Sequence, residues 1–230
     1  MKNIRSVTID LDGTLLDTAP DLGAAANAML VELGHAPYPL ATITDFVGRG
    51  IPSLVARCLP NLDESAQAKA LAIFRKYYAM ENGKRSRPYS GVLDGLAAFR
   101  QAGLPLAVVT NKATAFTDPL LQITQLTTWF AFAISGDTLA QKKPHPQQLL
   151  HACERFGTLP AENLHIGDSA TDAAAARAAG CPVLLVSYGY DAGEPVQGVD
   201  CDGIVTSLLE ASRRVATGYG AERVFRATAL

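Results

Sequence analysis

Apolar and polar positions fall into two textures along this chain. From about residue 90 onward, short apolar, often β-branched runs (104–110, 131–134, 163–167 and 182–187) alternate with stretches whose apolar residues recur at helical spacing (92–101, 114–125, 146–156 and 170–179). Alternation of this kind predicts a parallel sheet with helices on both faces. Residues 4–10 supply a first strand. Residues 18–86 differ: they show no strand pattern, but helical periodicity over 20–33, 40–47, 51–59 and 63–80. Thr18 with Asp21 has the form of a capping box, and Pro20 sits in the first turn, where its missing N–H costs little. Segment 82–91, rich in Gly, Pro, Ser and charge, reads as the return linker. The expected architecture is α/β. A doubly wound, Rossmann-like parallel-sheet core is built from residues 1–17 and 88–230, with an all-α cap domain inserted at 18–87. From about residue 218 the periodicity weakens and the chain is expected to fray.

Composition narrows the setting. A chain of 230 residues with 48% hydrophobic content can bury a substantial core. A net charge of −2 and the lack of a basic stripe argue against a nucleic-acid partner. The densest basic run, Lys84, Arg85 and Arg87, reads as a solvated linker. Cys58, Cys153, Cys181 and Cys201 follow no C-x-x-C spacing, which suits reduced thiols rather than a disulfide frame or a zinc site. No apolar run reaches membrane-spanning length, and Asp10 and Asp12 interrupt any signal-peptide core. The expectation is a cytoplasmic protein, monomer or homodimer, with neither membrane nor nucleic acid as partner.

The chemistry concentrates where the predicted strands end. In Asp10-Leu11-Asp12-Gly13-Thr14 two carboxylates stand at i and i+2 of an extended segment, so both point to one face. Gly13 permits a sharp turn just beyond. Such a pair suits a divalent cation, an acid/base couple, or a nucleophile with its proton shuttle. It could equally close the strand in an Asx-type turn. Ligand sites in parallel sheets form at the carboxyl ends of strands. There the chain also places Thr110 and Asn111, then Lys143 before Pro144, then Gly167, Asp168 and Asp172. The proline keeps Lys143 out of the helical region, while Lys142 reads as a solvated charge. His145 reads as part of a surface turn, Tyr188 and Tyr190 as loop packing, and Trp129 and Phe130 as core.

These four motifs, in this order, resemble those of the haloacid dehalogenase-like phosphohydrolase superfamily. A helical insert directly after the first motif resembles its C1-capped branch. The context around Asp10, with Val47-Gly48-Arg49-Gly50 and Tyr188-Gly189-Tyr190, is similar to the phosphoglycolate phosphatases. The resemblance implies a Mg²⁺-dependent phosphatase for a small phosphorylated metabolite. Asp10 would be the nucleophile and Asp12 the acid/base. Thr110, Asn111 and Lys143 would bind the phosphoryl group, and the metal would be held by Asp10, a backbone carbonyl at Asp12, and Asp168, with Asp172 orienting metal-bound water or favouring the helix start. Arg49, flanked by Gly48 and Gly50, would meet the organic part of the substrate from the insert, with hinges at 16–18 and 87–91. The central obstacle is charge: a carboxylate nearing a phosphate dianion meets about 4 kcal/mol of repulsion per charge pair at ~4 Å and an effective dielectric near 20. A phosphosugar mutase would share most of these motifs. A dehalogenase would not need Asp12, and a receiver-type phospho-acceptor domain would have neither Asp12 nor the insert.

Overall fold

The computed structural model describes residues 3–190 and 195–223. Six strands form one parallel sheet: β1 (Ser6–Ile9), β4 (Leu106–Val109), β5 (Phe132–Ile134), β6 (Asn163–Gly167), β7 (Val183–Val186) and β8 (Ile204–Val205). Their spatial order is β5-β4-β1-β6-β7-β8. Counting only these six along the chain, the order is third, second, first, fourth, fifth, sixth, so the winding reverses at β1. Asp10 therefore leaves the strand at the one place where connections diverge to either side and open a crevice.

Alternate residues of each strand face opposite layers. Val7, Ile9, Leu164 and Ile166 pack into a core with helices α5 (Val92–Gln101) and α9 (Leu208–Arg223). Val109, Val183 and Leu185 face α7 (Gln147–Phe156) and α8 (Ala170–Ala179) on the other side. Helix α6 (Thr114–Ile123) follows β4 and contributes Leu120 and Leu121 to the first core. The expected strands and helices of this half lie within a few residues of the observed ones. The edge strand β8, two residues long, and α9 carried no sequence expectation, because a two-residue strand is too short to show a period. Trp129 and Phe130 are only partly buried and rim the core rather than filling it.

Between β1 and α5 come four further helices: α1 (Ala19–Glu32), α2 (Leu40–Thr44), α3 (Ile51–Cys58) and α4 (Glu64–Glu81). They bury their own apolar cluster, with Met29, Leu30, Phe74 and Tyr78 almost wholly enclosed. The chain enters and leaves this block through β2 (Leu16–Asp17) and β3 (Arg87–Pro88), which pair antiparallel as Leu16 with Pro88 and Asp17 with Arg87. The two expected hinge segments are thus zipped into one ribbon.

The expected capping box at α1 does not form. Thr18 makes no side-chain cap; its hydroxyl donates to Asp12 Oδ1 at 2.7 Å. Tyr190 takes over the capping role. Its hydroxyl accepts from the N–H groups of Thr18 and Ala19 and donates to Asp17 at 2.7 Å. Asp21 is fully buried and accepts from the N–H groups of Gly83, Arg85 and Ser86 and from the Ser86 hydroxyl. A carboxylate that first looks like a local cap instead fastens the return linker, since three backbone donors offer it more than its own helix does.

No helix among the described residues is long and apolar enough to cross a membrane, and the four cysteines are free thiols. Residues 218–223 lie in α9, whereas 224–230 fall outside the described residues.

Candidate active site

Asp10 follows β1, and its N–H is tied to the carbonyl of Ile166 on β6. The chain then turns at Gly13, whose φ of 83° is left-handed. A Cβ there would lie 2.0 Å from Asp168 Oδ2, so glycine is required by the turn and by the approach of Asp168. Asp168 accepts from the Tyr190 N–H at 2.8 Å, which draws the loop after β7 under the site. One carboxylate oxygen from each of Asp10, Asp168 and Asp172 lies within 4.8 Å of the others.

Lys143 is the cation of this cluster. Its Nζ donates to Asp10 Oδ1 at 2.7 Å, Asp172 Oδ1 at 2.6 Å and the Val109 carbonyl at 2.8 Å, using all three protons. Its backbone is held by Gln148 on α7, which accepts from the Lys143 N–H and donates to the carbonyls of Thr110 and Ser135. Sequence reading missed Gln148. Nothing local marks it, since its burial and its partners exist only in the fold.

A second ammonium, also missed, stands beside Asp12. Lys112 is buried and reaches Asp12 Oδ1 at 2.9 Å and Oδ2 at 3.2 Å. It also bonds the hydroxyl of Tyr78 on α4. Burial opposes its charge, but Asp12 and Tyr78 outweigh that and hold Lys112 above the ordinary lysine value. Its position directly after Thr110-Asn111 was visible in the sequence, while its partners were not. The Asp12 carboxylate thus faces Lys112 and Thr18, away from the cluster of the other three.

Asp172 occupies the first turn of α8 and has little capacity left. Oδ1 accepts from Lys143 and faces His165 Nε2 at 3.1 Å; Oδ2 accepts from the Ser169 hydroxyl and the N–H groups of Ser169 and Asp168. Burial works against its charge, yet Lys143 and His165 hold its carboxyl well below the usual range. Asp172 is an anchor for Lys143 rather than a group with lone pairs to spare. His165 is wholly enclosed, and burial lowers its affinity for a proton below the ordinary histidine value.

Asp10 and Asp168 go the other way. Burial pushes Asp10 up to about 7 against the pull of Lys143, with Asp172 and Asp12 adding repulsion. Burial, then Asp172 and Asp10, raise Asp168 well above its ordinary value. With all four carboxyls ionised, they face two ammoniums and carry an excess of two negative charges. An all-oxygen donor set with that deficit fits a small, hard divalent cation.

Above this floor lies a cleft. Asp10, Asp12, Thr110 and Asn111 line its sheet side; Leu22, Val47, Ile51 and Leu54 form an apolar wall on the helical side. The Asn111 amide donates to the Gly48 carbonyl at 3.2 Å and to the Lys143 carbonyl at 2.9 Å, joining the helical block to the core. Gly48 and Gly50 line the cleft with φ of 111° and 86°. The Arg49 side chain is exposed and is not among the cleft-lining residues. Its carbonyl lies 3.4 Å from Lys142 Nζ, so Lys142 contacts the helical block instead of standing alone in solvent. His145 is exposed, as expected.

A model of the family described as haloacid dehalogenase-like hydrolase matches residues 7–186. The chain is 50% identical over 217 residues to a phosphoglycolate phosphatase from Thiobacillus denitrificans, covering 92% of this chain and 96% of the relative. A phosphoglycolate phosphatase from Nitrosospira multiformis matches with the same identity and coverage. Among solved structures, a predicted phosphoglycolate phosphatase from Haemophilus somnus superposes with a TM-score of 0.88 at 30% identity, covering 93% of this chain and 99% of that one.

Proposed function

Since the chain belongs to the haloacid dehalogenase-like hydrolase family, we propose that it is a Mg²⁺-dependent phosphatase that converts 2-phosphoglycolate to glycolate and phosphate through an aspartyl-phosphate on Asp10. The observation that carries this reading is the floor of the cleft. One buried carboxylate is held by an ammonium at 2.7 Å, and a second carboxylate stands two residues on, separately tethered. In the first step an Asp10 oxygen bonds to phosphorus while the ester P–O bond breaks, and Asp12 gives its proton to the departing alkoxide. In the second, water attacks the acyl phosphate and Asp12 takes the proton back, releasing phosphate and restoring Asp10. Thr110 would donate to a phosphoryl oxygen, and the Lys143 ammonium, whose three protons are committed, would attract the group as a point charge. Asp10, the carbonyl of Asp12 and Asp168 would hold Mg²⁺, which supplies positive charge to offset that of the phosphate dianion. Residues 18–87 act as the cap that excludes bulk water, with its apolar wall over the site. Phosphate release from a panel of small phosphate esters, with Mg²⁺ or with chelator, tests the whole reading. If no ester were hydrolysed under any of these conditions, it would be wrong.

Specificity is assigned to the cap loop. Arg49 would pair with the carboxylate of phosphoglycolate when the cap closes, the flanking glycines letting the backbone come near. Hydrogen bonds to charged groups are worth about 1.5–3 kcal/mol. Arg49→Ala should therefore raise KM for phosphoglycolate by roughly 10- to 150-fold and leave KM for ethyl phosphate, which lacks the carboxylate, in place. Equal KM values for phosphoglycolate in wild type and variant would refute the assignment.

The crowded carboxylates also set a pH dependence. In the unfolded chain Asp titrates near about 3.9, whereas folded Asp10 titrates at about 7 and Asp168 is raised as well. A raised folded value favours the native state below the unfolded value, and that advantage is lost as pH rises through the folded one. Asp172, which is lowered, acts in the opposite sense only below about pH 4. The metal-free protein should thus lose stability between about pH 4 and about pH 7 through these two groups. Mg²⁺ at 100 times its Kd should return about 2.7 kcal/mol. Thermal melts at pH 5.5 and pH 8, with Mg²⁺ and with chelator, check this; a metal-free Tm that rises with pH would contradict it.

A further inference from the structure

The sheet conceals a line of polar residues that this reaction scheme does not use. Ser6 and Thr8 of β1 pair in register with Asn163 and His165 of β6, and all four are fully buried. Both strands alternate polar with apolar positions although neither face meets water, and the polar positions fall on the same face as Asp10. The donors can be ordered. Asp172 accepts only, so the His165 proton sits on Nε2, 3.1 Å away. Nδ1 then accepts from Thr8 Oγ1 at 3.1 Å; the other acceptor within reach of that hydroxyl, the Leu164 carbonyl, is farther at 3.4 Å. Thr8 in turn accepts from Asn163 Nδ2 at 3.0 Å. Asn163 Oδ1 accepts from the Ser6 hydroxyl at 2.9 Å, and Ser6 accepts from Thr158 at 3.0 Å, where the line reaches the partly exposed opposite edge of the sheet. Every bond points the same way, from Thr158 to Asp172.

We propose that His165 is a positioning residue for phosphoryl transfer, the last link of a one-directional hydrogen-bond chain that fixes Asp172 and, through it, aims Lys143 at Asp10. The inference rests on the reading of Asp10 as nucleophile. The geometry gives the reason for such a device. Lys143 is shared between Asp10 and Asp172, so any swing of the Asp172 carboxylate changes where the ammonium stands relative to the attacking oxygen. Ser169 holds Oδ2 from the helix side, and among the described residues His165 and Lys143 alone hold Oδ1. An imidazole fixed at both nitrogens cannot rotate, and so cannot release Oδ1. An apolar ladder at these four positions would serve the core equally well; what it would lack is this aim.

The test compares three variants on an ester that the wild type hydrolyses. His165→Gln keeps an N–H donor where Nε2 stands. His165→Leu fills similar space with no donor. Thr8→Val leaves the contact to Asp172 but removes the bond that stops the ring turning. His165→Leu should lower kcat by about 10- to 100-fold, as loss of an outer hydrogen-bond partner does, with KM unchanged. His165→Gln should recover most of that loss, and Thr8→Val should fall between wild type and His165→Leu. Equal kcat for the Gln and Leu variants, or a loss confined to KM, would overturn the proposal. A measurement on wild type alone guards against variants that fail to fold: ¹⁵N-imidazole spectra should show the solvent-shielded histidine as the neutral Nε2–H tautomer. A proton on Nδ1 would reverse the chain and overturn the proposal as well. If the wild type hydrolysed no phosphate ester, the catalytic reading would fail by itself, and the tautomer would still decide the direction of the chain.

Discussion

Asp10→Asn should lower phosphate release by a factor on the order of 10⁴ or more, the scale on which enzymes lose turnover when an attacking residue is removed. The amide has nearly the same shape but no charged oxygen to form the bond to phosphorus. The same substitution should have the opposite sign for stability. Burial already pushes the Asp10 carboxyl up to about 7, with Asp172 and Asp12 adding repulsion. A neutral side chain removes that strain above pH 7, so the metal-free variant should melt at or above the wild-type temperature at pH 8. Steady-state kinetics and melts on one preparation separate the two effects. Substantial turnover by the variant would eliminate the covalent route. A marked fall in Tm at pH 8 would instead show that Asp10 contributes more to Lys143 than it suffers from its neighbours.

Lys143→Met should be the most destabilising single change at the site. Methionine fills the stem volume, but three buried carboxylates then keep no ammonium between them, and the Val109 carbonyl loses its donor. Removing one partner from a buried ion pair costs about 3–5 kcal/mol, because the remaining charge is left uncompensated. The loss should be largest at pH 8 and smaller at pH 5.5, where protons replace the missing cation on Asp10 and Asp168. Turnover should fall with it, since the phosphoryl group loses its point charge. Denaturant titrations at both pH values, read from midpoint and slope, check this. An unchanged midpoint at pH 8 would mean that the lysine is dispensable to the folded cluster and that its proposed role in orienting Asp10 is wrong.

Both results turn on how buried charges balance, and that balance was only partly legible beforehand. Asp10, Asp12, Thr110, Asn111 and Asp168 could be singled out because they sit at or just past the end of an apolar run, and strand ends in a parallel sheet converge; Lys143 and Asp172 lie farther on, at the starts of the helices that follow. Lys143 could be preferred over Lys142 through the proline that follows it. Gln148, Lys112 and Tyr78 could not be found this way. Their roles depend on which loops and which helix of the insert lie across from them, and no period within a segment encodes a partner at a sequence distance of 34 or more. The failed capping box is instructive. Thr18 and Asp21 have the right spacing for a local cap, yet Asp12 and the linker from Gly83 to Ser86 offered better partners, and Tyr190 reached the helix start from 172 residues away. Polar side chains follow the best available donors and acceptors, and in a folded core those are set by tertiary neighbours.

What the sequence by itself determined is the α/β alternation, the helical insert and the set of acids and bases at strand ends. Those follow from local rules: side-chain period, turn chemistry at Gly13, and the parallel connection that brings successive strand ends to one edge. What only the tertiary structure decided is the division of labour among like residues. Four aspartates look alike in the chain. In the fold Asp12 faces Lys112, Asp172 is saturated by Ser169, His165 and Lys143, and Asp10 and Asp168 are left short of positive charge. Electrostatic energy between buried groups depends on distances of a few ångströms and on what excludes water around them. Those quantities exist only once strands, loops and helices have been placed against one another.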